Sequence, residues 1–163
     1  MGNPMPLVST IDIERASKSA LVAYGAKDWI AVSVARAIAD AESFGNVICG
    51  LYYLESYCRQ LVTGRVDGTV DPQVSASRPG SILSDAKFGF SQPAFEVALP
   101  SAIAAAHTNG TASLSVAHAH TCTSLGYFTA QLAAKGFLAI GFTNASPVAV
   151  SYTHLTLPTR SYV

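Results

Sequence analysis

From Ala112 to Phe142 the chain alternates strand-length apolar runs with a helical stretch, and that alternation restricts it to an α/β layer. Ala112–Ala117 (ASLSVA) has the length of a strand, Ser124 to Lys135 has helical length and stops at Gly136, and Phe137–Phe142 (FLAIGF) predicts a buried strand. Polar residues gather where these apolar pieces stop: the run from His118 to Ser124, and Thr143-Asn144 after the second strand. The stretch from His118 to Pro147 is therefore a candidate site.

Upstream the pattern is helical. Ser9 and Thr10 offer caps to a helix starting near Ile11, with Asp12 and Glu14 near its positive end and Gly25 as its stop. A second helix starts near Asp28, keeps Ile30, Val34, Ile38 and Ala41 on one face, and ends before Gly45. A third is expected from Cys49 to Val62, burying Leu51, Leu54, Cys58 and Leu61 and ending at Gly64.

Glycines and prolines then separate short β-like pieces at Gln73–Ala76 and Ser81–Asp85. A helix follows from Gln92 to Thr108, with Pro93 tolerated in its first turn and Pro100 expected to kink or break it. The fold expected is α/β: a helical N-terminal region, residues 1–66, packed on a mixed sheet begun in residues 67–149 and incomplete at the C-terminus. The closing VSYTHLTLPTRSYV, residues 150–163, resembles translated sequencing-adapter read-through and is expected to be non-native.

Charge and cysteine usage narrow the partners. Ten basic and ten acidic residues cancel without a Lys/Arg cluster, which argues against nucleic acid. No apolar run approaches the ~20 residues of a bilayer span, so no membrane partner is expected. Cys49, Cys58 and Cys122 are odd in number and far apart, which favours reduced thiols and a cytoplasmic setting. His118, His120 and Cys122 spell H-x-H-x-C, but nothing else completes a tetrahedral ligand set, so no metal is expected.

Four landmarks occur in order: GNVICGLYYLESY (Gly45–Tyr57), DAKFGFSQPAFEVAL (Asp85–Leu99), HAHTCTSLGYF (His118–Phe128) and TNASP (Thr143–Pro147). Together they resemble the malate/L-lactate dehydrogenase-type NAD(P)-dependent oxidoreductases, a family not built on the usual Rossmann fold. The resemblance covers Ile11 to Ala149. It implies a homodimer with NAD or NADP held between subunits, and hydride transfer to or from a small 2-oxo acid or related cyclic imine acid. This chain then corresponds to an N-terminal part of such a protein, residues 67–149 opening its cofactor-binding region.

Two departures bear on the chemistry. The family's Ser-His-Gly helix start is Ile48-Cys49-Gly50 here, so the usual catalytic histidine is absent, and the frequent arginine on that helix is Tyr53. Reduction of a carbonyl needs a proton donor within hydrogen-bond reach. Cys49, in the family's donor position, and Tyr53 are the catalytic candidates, with Ser56 on the same helical face. Packing beside buried tyrosines is the simpler account of that cysteine.

On the cofactor side the resemblance points to His120, to Ser124 and Gly126 at a helix start, and to the Thr143-Asn144 turn. The family histidine falls closest to Thr121, one place after His120. If the strand continues through His120, His118 and His120 share one face. Hydrogen bonds within the turn account equally for Thr143 and Asn144. The two alternatives to a dehydrogenase are a non-catalytic binding member of the same fold and an enzyme that depends on the Cys49 thiol.

Overall fold

The structure, a computed structural model, describes residues 7–144. Three helices come first: α1 (Thr10–Ala23), α2 (Asp28–Ser43) and α3 (Leu51–Val62), with one 3-10 turn, Val47–Cys49, leading into α3. Strands β1 (Gln73–Arg78) and β2 (Ser81–Asp85) follow, then α4 (Ser91–Asn109), β3 (Ser113–Ala117) and α5 (Leu125–Ala133). β1 pairs antiparallel with β2, and β2 pairs parallel with β3, giving a mixed sheet in the order β1-β2-β3. The unit β2–α4–β3 is thus a parallel crossover, the connection that a parallel pair requires.

Local chemistry explains the helix ends. Ser9 caps α1, its Oγ accepting the Asp12 N–H at 3.1 Å. Gly25 turns the chain at φ +102°, which a side chain would resist, and the chain re-enters a helix at Asp28. α2 is the central helix: Ile30, Val34, Ile38 and Ala41 are all buried, as their spacing predicts. Ile30, Val34 and Ile38 join Leu21 of α1, Tyr57 and Cys58 of α3, and Phe90 in one core. Each fully buried aliphatic chain there contributes about 1.5–3 kcal/mol.

A second packing layer joins α4 to the sheet. Ala98, Ala102 and Ala105 meet Ile82, small residues that let the helix sit close to the strands. Buried Ser84 fastens this contact, its hydroxyl donating to the Ala94 carbonyl at 2.7 Å. Phe95 and Phe128 meet edge to face, bringing α5 against α4.

Four sequence expectations change. α3 begins at Leu51, so Cys49 belongs to the preceding 3-10 turn; Leu51 is exposed, and the deepest residues of α3 are Tyr57 and Cys58. The large Tyr57 ring fills the space against Phe90 and rotates the buried stripe towards itself. α4 runs through Pro100 without a break, because that residue lies on the exposed side, where water can take the carbonyl left without an N–H partner. The third change is at β3, which stops at Ala117; His118 then takes φ +47°, so His118 and His120 do not share a strand face. Finally, Phe137–Phe142 is not a strand. Leu138, Ile140 and Phe142 are 96%, 75% and 88% exposed, and among the described residues no strand pairs with them. Apolar composition without a ladder partner does not make a strand.

Candidate functional site

The two loops that follow β2 and β3 come together. After β2, Lys87 and Phe88 take positive φ (49° and 64°); after β3, His118 and Thr123 do the same (47° and 57°). None of the four is glycine. Backbone strain of this kind costs about 1–3 kcal/mol per residue and persists where surrounding contacts enforce it. The enforcing contacts are backbone bonds between the two loops: Phe88 N–H to the His118 carbonyl at 2.7 Å and His120 N–H to the Gly89 carbonyl at 2.9 Å.

His120 is held in an aromatic corner. Tyr57 and Phe90 each meet its ring edge to face, at 5.5 and 5.7 Å, and Tyr53 stacks on Tyr57 at 6.0 Å. Nδ1 of His120 is buried and has no hydrogen-bond partner among the described residues. Burial pushes its pKa below the ordinary value, and the nearby Arg65 charge adds to the shift. The ring is therefore neutral near pH 7. A lone pair is the cheaper group to leave unpaired in a buried place, which favours the tautomer with its proton on Nε2.

The Tyr57 hydroxyl is also buried without a partner; it lies near that of Thr123, which donates instead to the Cys122 carbonyl at 2.7 Å. Burial raises this phenol above its usual range, so Tyr57 stays protonated.

His118 diverges from His120. Its Nδ1 lies 3.0 Å from an Asp85 carboxylate oxygen, and its ring packs on Phe88. The Lys87 N–H donates to the same oxygen at 2.8 Å. That backbone bond, followed by the His118 contact, holds the Asp85 carboxyl below its ordinary range. The sequence alone gave no sign of this pair, since thirty-three residues separate its members.

The candidate catalytic residues sit at the start of α3. Cys49 is half-buried in the 3-10 turn, and Tyr53 is half-buried against Tyr57. The α3 N-terminus is capped from outside: Glu42 of α2 accepts the Leu51 N–H at 2.7 Å. Of the cofactor-side candidates, Ser124 is the N-cap of α5 but makes no side-chain cap bond, and Gly126 lies in its first turn. Thr143 comes back to this loop, 3.5 Å from the Cys122 sulfur, with Asn144 beside it. The remainder of that turn, to Pro147, lies outside the described residues.

A cleft of about 750 Å³ opens between the second half of α3 and the two loops. Ser56, Gln60, Arg65, His120 and Thr121 line it, together with Arg59. Its size falls within the range of small-molecule pockets. Tyr57 and Phe90 lie within the sequence landmarks but, like Arg65, were not among the site candidates. The spacing of Tyr53 and Tyr57 by one helical turn was the available signal for the first.

Comparison with known proteins agrees with this architecture. The sequence matches the malate/L-lactate dehydrogenase family over residues 8–155. It is 31% identical over 140 residues to a (2R)-3-sulfolactate dehydrogenase (NADP(+)) of Chromohalobacter salexigens, covering 85% of this chain and 41% of that protein. It is 30% identical over 129 residues to a Delta(1)-pyrroline-2-carboxylate/Delta(1)-piperideine-2-carboxylate reductase of Pseudomonas putida, covering 79% of this chain and 38% of the relative. The crystal structure of delta1-piperideine-2-carboxylate reductase from Pseudomonas syringae pvar. tomato superposes with a TM-score of 0.78 at 26% identity, over 81% of this chain and 40% of that one. The chain thus spans about two fifths of the length of these relatives. With the helical layer, the mixed sheet and the ordered loops in agreement, the chain belongs to the malate/L-lactate dehydrogenase family.

Proposed function

We propose that the full-length protein carrying this segment is an NAD(P)-dependent oxidoreductase acting on a small 2-hydroxy or 2-oxo acid, or on a related cyclic imine carboxylate. The observation that carries this reading is the family match over residues 8–155. Relatives named for sulfolactate and for pyrroline-2-carboxylate suggest a carboxylate beside the reacting carbon. When bound, the nicotinamide supplies the hydride.

The residues here fit such a group. α5 offers an N-terminus without a side-chain cap, and the neutral His120 ring stands nearby in an aromatic corner. His120, Ser124, Gly126, Thr143 and Asn144 form the proposed cofactor wall. Cys49 and Tyr53 form the proposed substrate side, with Tyr53 as the alternative proton donor to Cys49. A homodimer in the cytoplasm completes the proposal, and exposed Phe44, Leu138 and Phe142 are apolar surface suited to burial in an assembly.

The test is oxidation of reduced nicotinamide by the full-length protein against small 2-oxo acids and cyclic imine carboxylates. Comparing Cys49→Ser and Cys49→His separates the alternatives. Loss of activity with serine points to a thiol-dependent enzyme, and a gain with histidine to a weakened dehydrogenase. Cofactor binding without turnover in every form points to a non-catalytic member, a reading favoured by Cys49 in the donor position.

A further inference from the structure

The cleft beside α3 has a charge imbalance that neither the catalytic candidates nor the cofactor wall uses. Its two charged lining residues are Arg59 and Arg65. Arg59 is already shared, its Nη2 lying 2.5 Å from Glu55. Arg65 has no carboxylate within 4.0 Å among the described residues. The base of its side chain is nonetheless fixed, because the Arg65 N–H donates to the Gln60 carbonyl at 3.0 Å. Arg65 lines the cleft together with the half-buried ring of His120, so the cation faces this space. Ser56, Thr63 and Thr121 add hydroxyl-bearing side chains to the lining of the same cleft.

From this we infer that the cleft binds a small oxyanion, a carboxylate or phosphate group, with Arg65 as its principal anchor and Arg59 as a second, weaker one. A guanidinium presents parallel N–H donors that match the oxygens of either group, and a cleft focuses the field of an uncompensated charge. The neutral His120 ring offers a hydrogen bond and no repulsion to a second polar atom of the same ligand. Arg59 lies eight residues beyond the first residue of α3, about 12 Å along the helix at ~1.5 Å per residue. Neither Cys49 nor Tyr53 lines the cleft, and of the proposed cofactor wall only His120 does, so the arginine anchor goes beyond the reaction proposed above.

The experiment is isothermal titration of the full chain at low ionic strength, with inorganic phosphate in one arm and malonate in the other. Saturable binding of one anion per chain is expected in at least one arm. Arg65→Ala is expected to weaken it roughly ten- to a hundredfold, the range for a charge-assisted hydrogen bond, with Arg59→Ala weakening it less and Arg65→Lys keeping part of it. Arg65 is exposed, so an unchanged melt is expected for the variants. Phosphate binding alone assigns the cleft to a nucleotide phosphate, malonate binding alone to a small organic acid, and both to the shared chemistry. Absence of saturable binding in both arms, or wild-type affinity in Arg65→Ala, overturns the inference. Either result leaves the oxidoreductase reading standing, just as anion binding without turnover would sink that reading and keep the cleft.

Discussion

Tyr57 meets His120 edge to face at 5.5 Å, and this contact joins the helical layer to the loop that follows β3. Tyr57 is fully buried and also touches Phe90, so a single ring supports both sides of the candidate site. Tyr57→Ala should cost about 3–5 kcal/mol of stability, the range for deleting a buried aromatic ring. Tyr57→Phe should be neutral or slightly stabilising, because it removes a hydroxyl without a partner. Denaturant melts of the two variants check this; a large loss in Tyr57→Phe would reveal a hydrogen bond to that hydroxyl.

The Glu42 carboxylate caps α3 across a gap that only glycine leaves open. A Cβ at Gly50 would meet Glu42 Oε1 at 2.2 Å. Glu42→Ala is expected to cost about 0.5–2 kcal/mol, as for loss of an N-cap. Gly50→Ala should cost a similar amount by displacing the same carboxylate. The double variant should then be less destabilised than the sum of the two, a coupling that a double-mutant cycle measures directly.

Pro100 occupies an outward position of α4. Pro100→Ala restores a helical N–H and removes the ring's conflict with the preceding turn. An increase of about 1–3 kcal/mol in unfolding free energy is expected, since proline is ~3 kcal/mol worse than alanine inside a helix and part of that is recovered in the unfolded chain. A melting temperature unchanged or lowered would mean that the ring contributes packing of its own.

Much of the fold was legible in the sequence because it depends on local signals. The face formed by Ile30, Val34, Ile38 and Ala41 and the Ser9 cap are set by helical spacing and side-chain chemistry within one turn. Strand β2 was bounded by its flanking proline and glycine turns. The strand expected at Phe137–Phe142 failed because strand formation needs a partner that composition does not reveal. Of the site, the polar loop after β3 was recognisable, whereas the Asp85–His118 contact and the Arg65 cleft depend on tertiary approach. The left-handed turn at His118, which separates it from His120, was not readable from the sequence, because histidine is enriched in that conformation yet adopts it in only a small minority of cases.

His120 gives stability a defined dependence on pH. Its folded-state pKa lies below the ordinary value of about 6.5, so between the two the unfolded chain binds more protons. Stability is thus fully present above about pH 6.5 and declines as the pH falls through that window. His120→Gln should flatten this part of the profile in melts recorded from pH 5 to 8. Asp67, held low by the Thr69 N–H, and Asp85 act in a separate window, their contributions being lost only below about pH 4.

The central proposal is that the segment from His118 to Asn144, which includes α5, forms one wall of a nicotinamide site. The most direct measurement is titration of reduced nicotinamide cofactor fluorescence with the full-length protein, followed by the His120→Ala variant. A saturable change in emission, weakened in the variant, is the result expected. An emission signal that never saturates with NADH or NADPH would contradict the account.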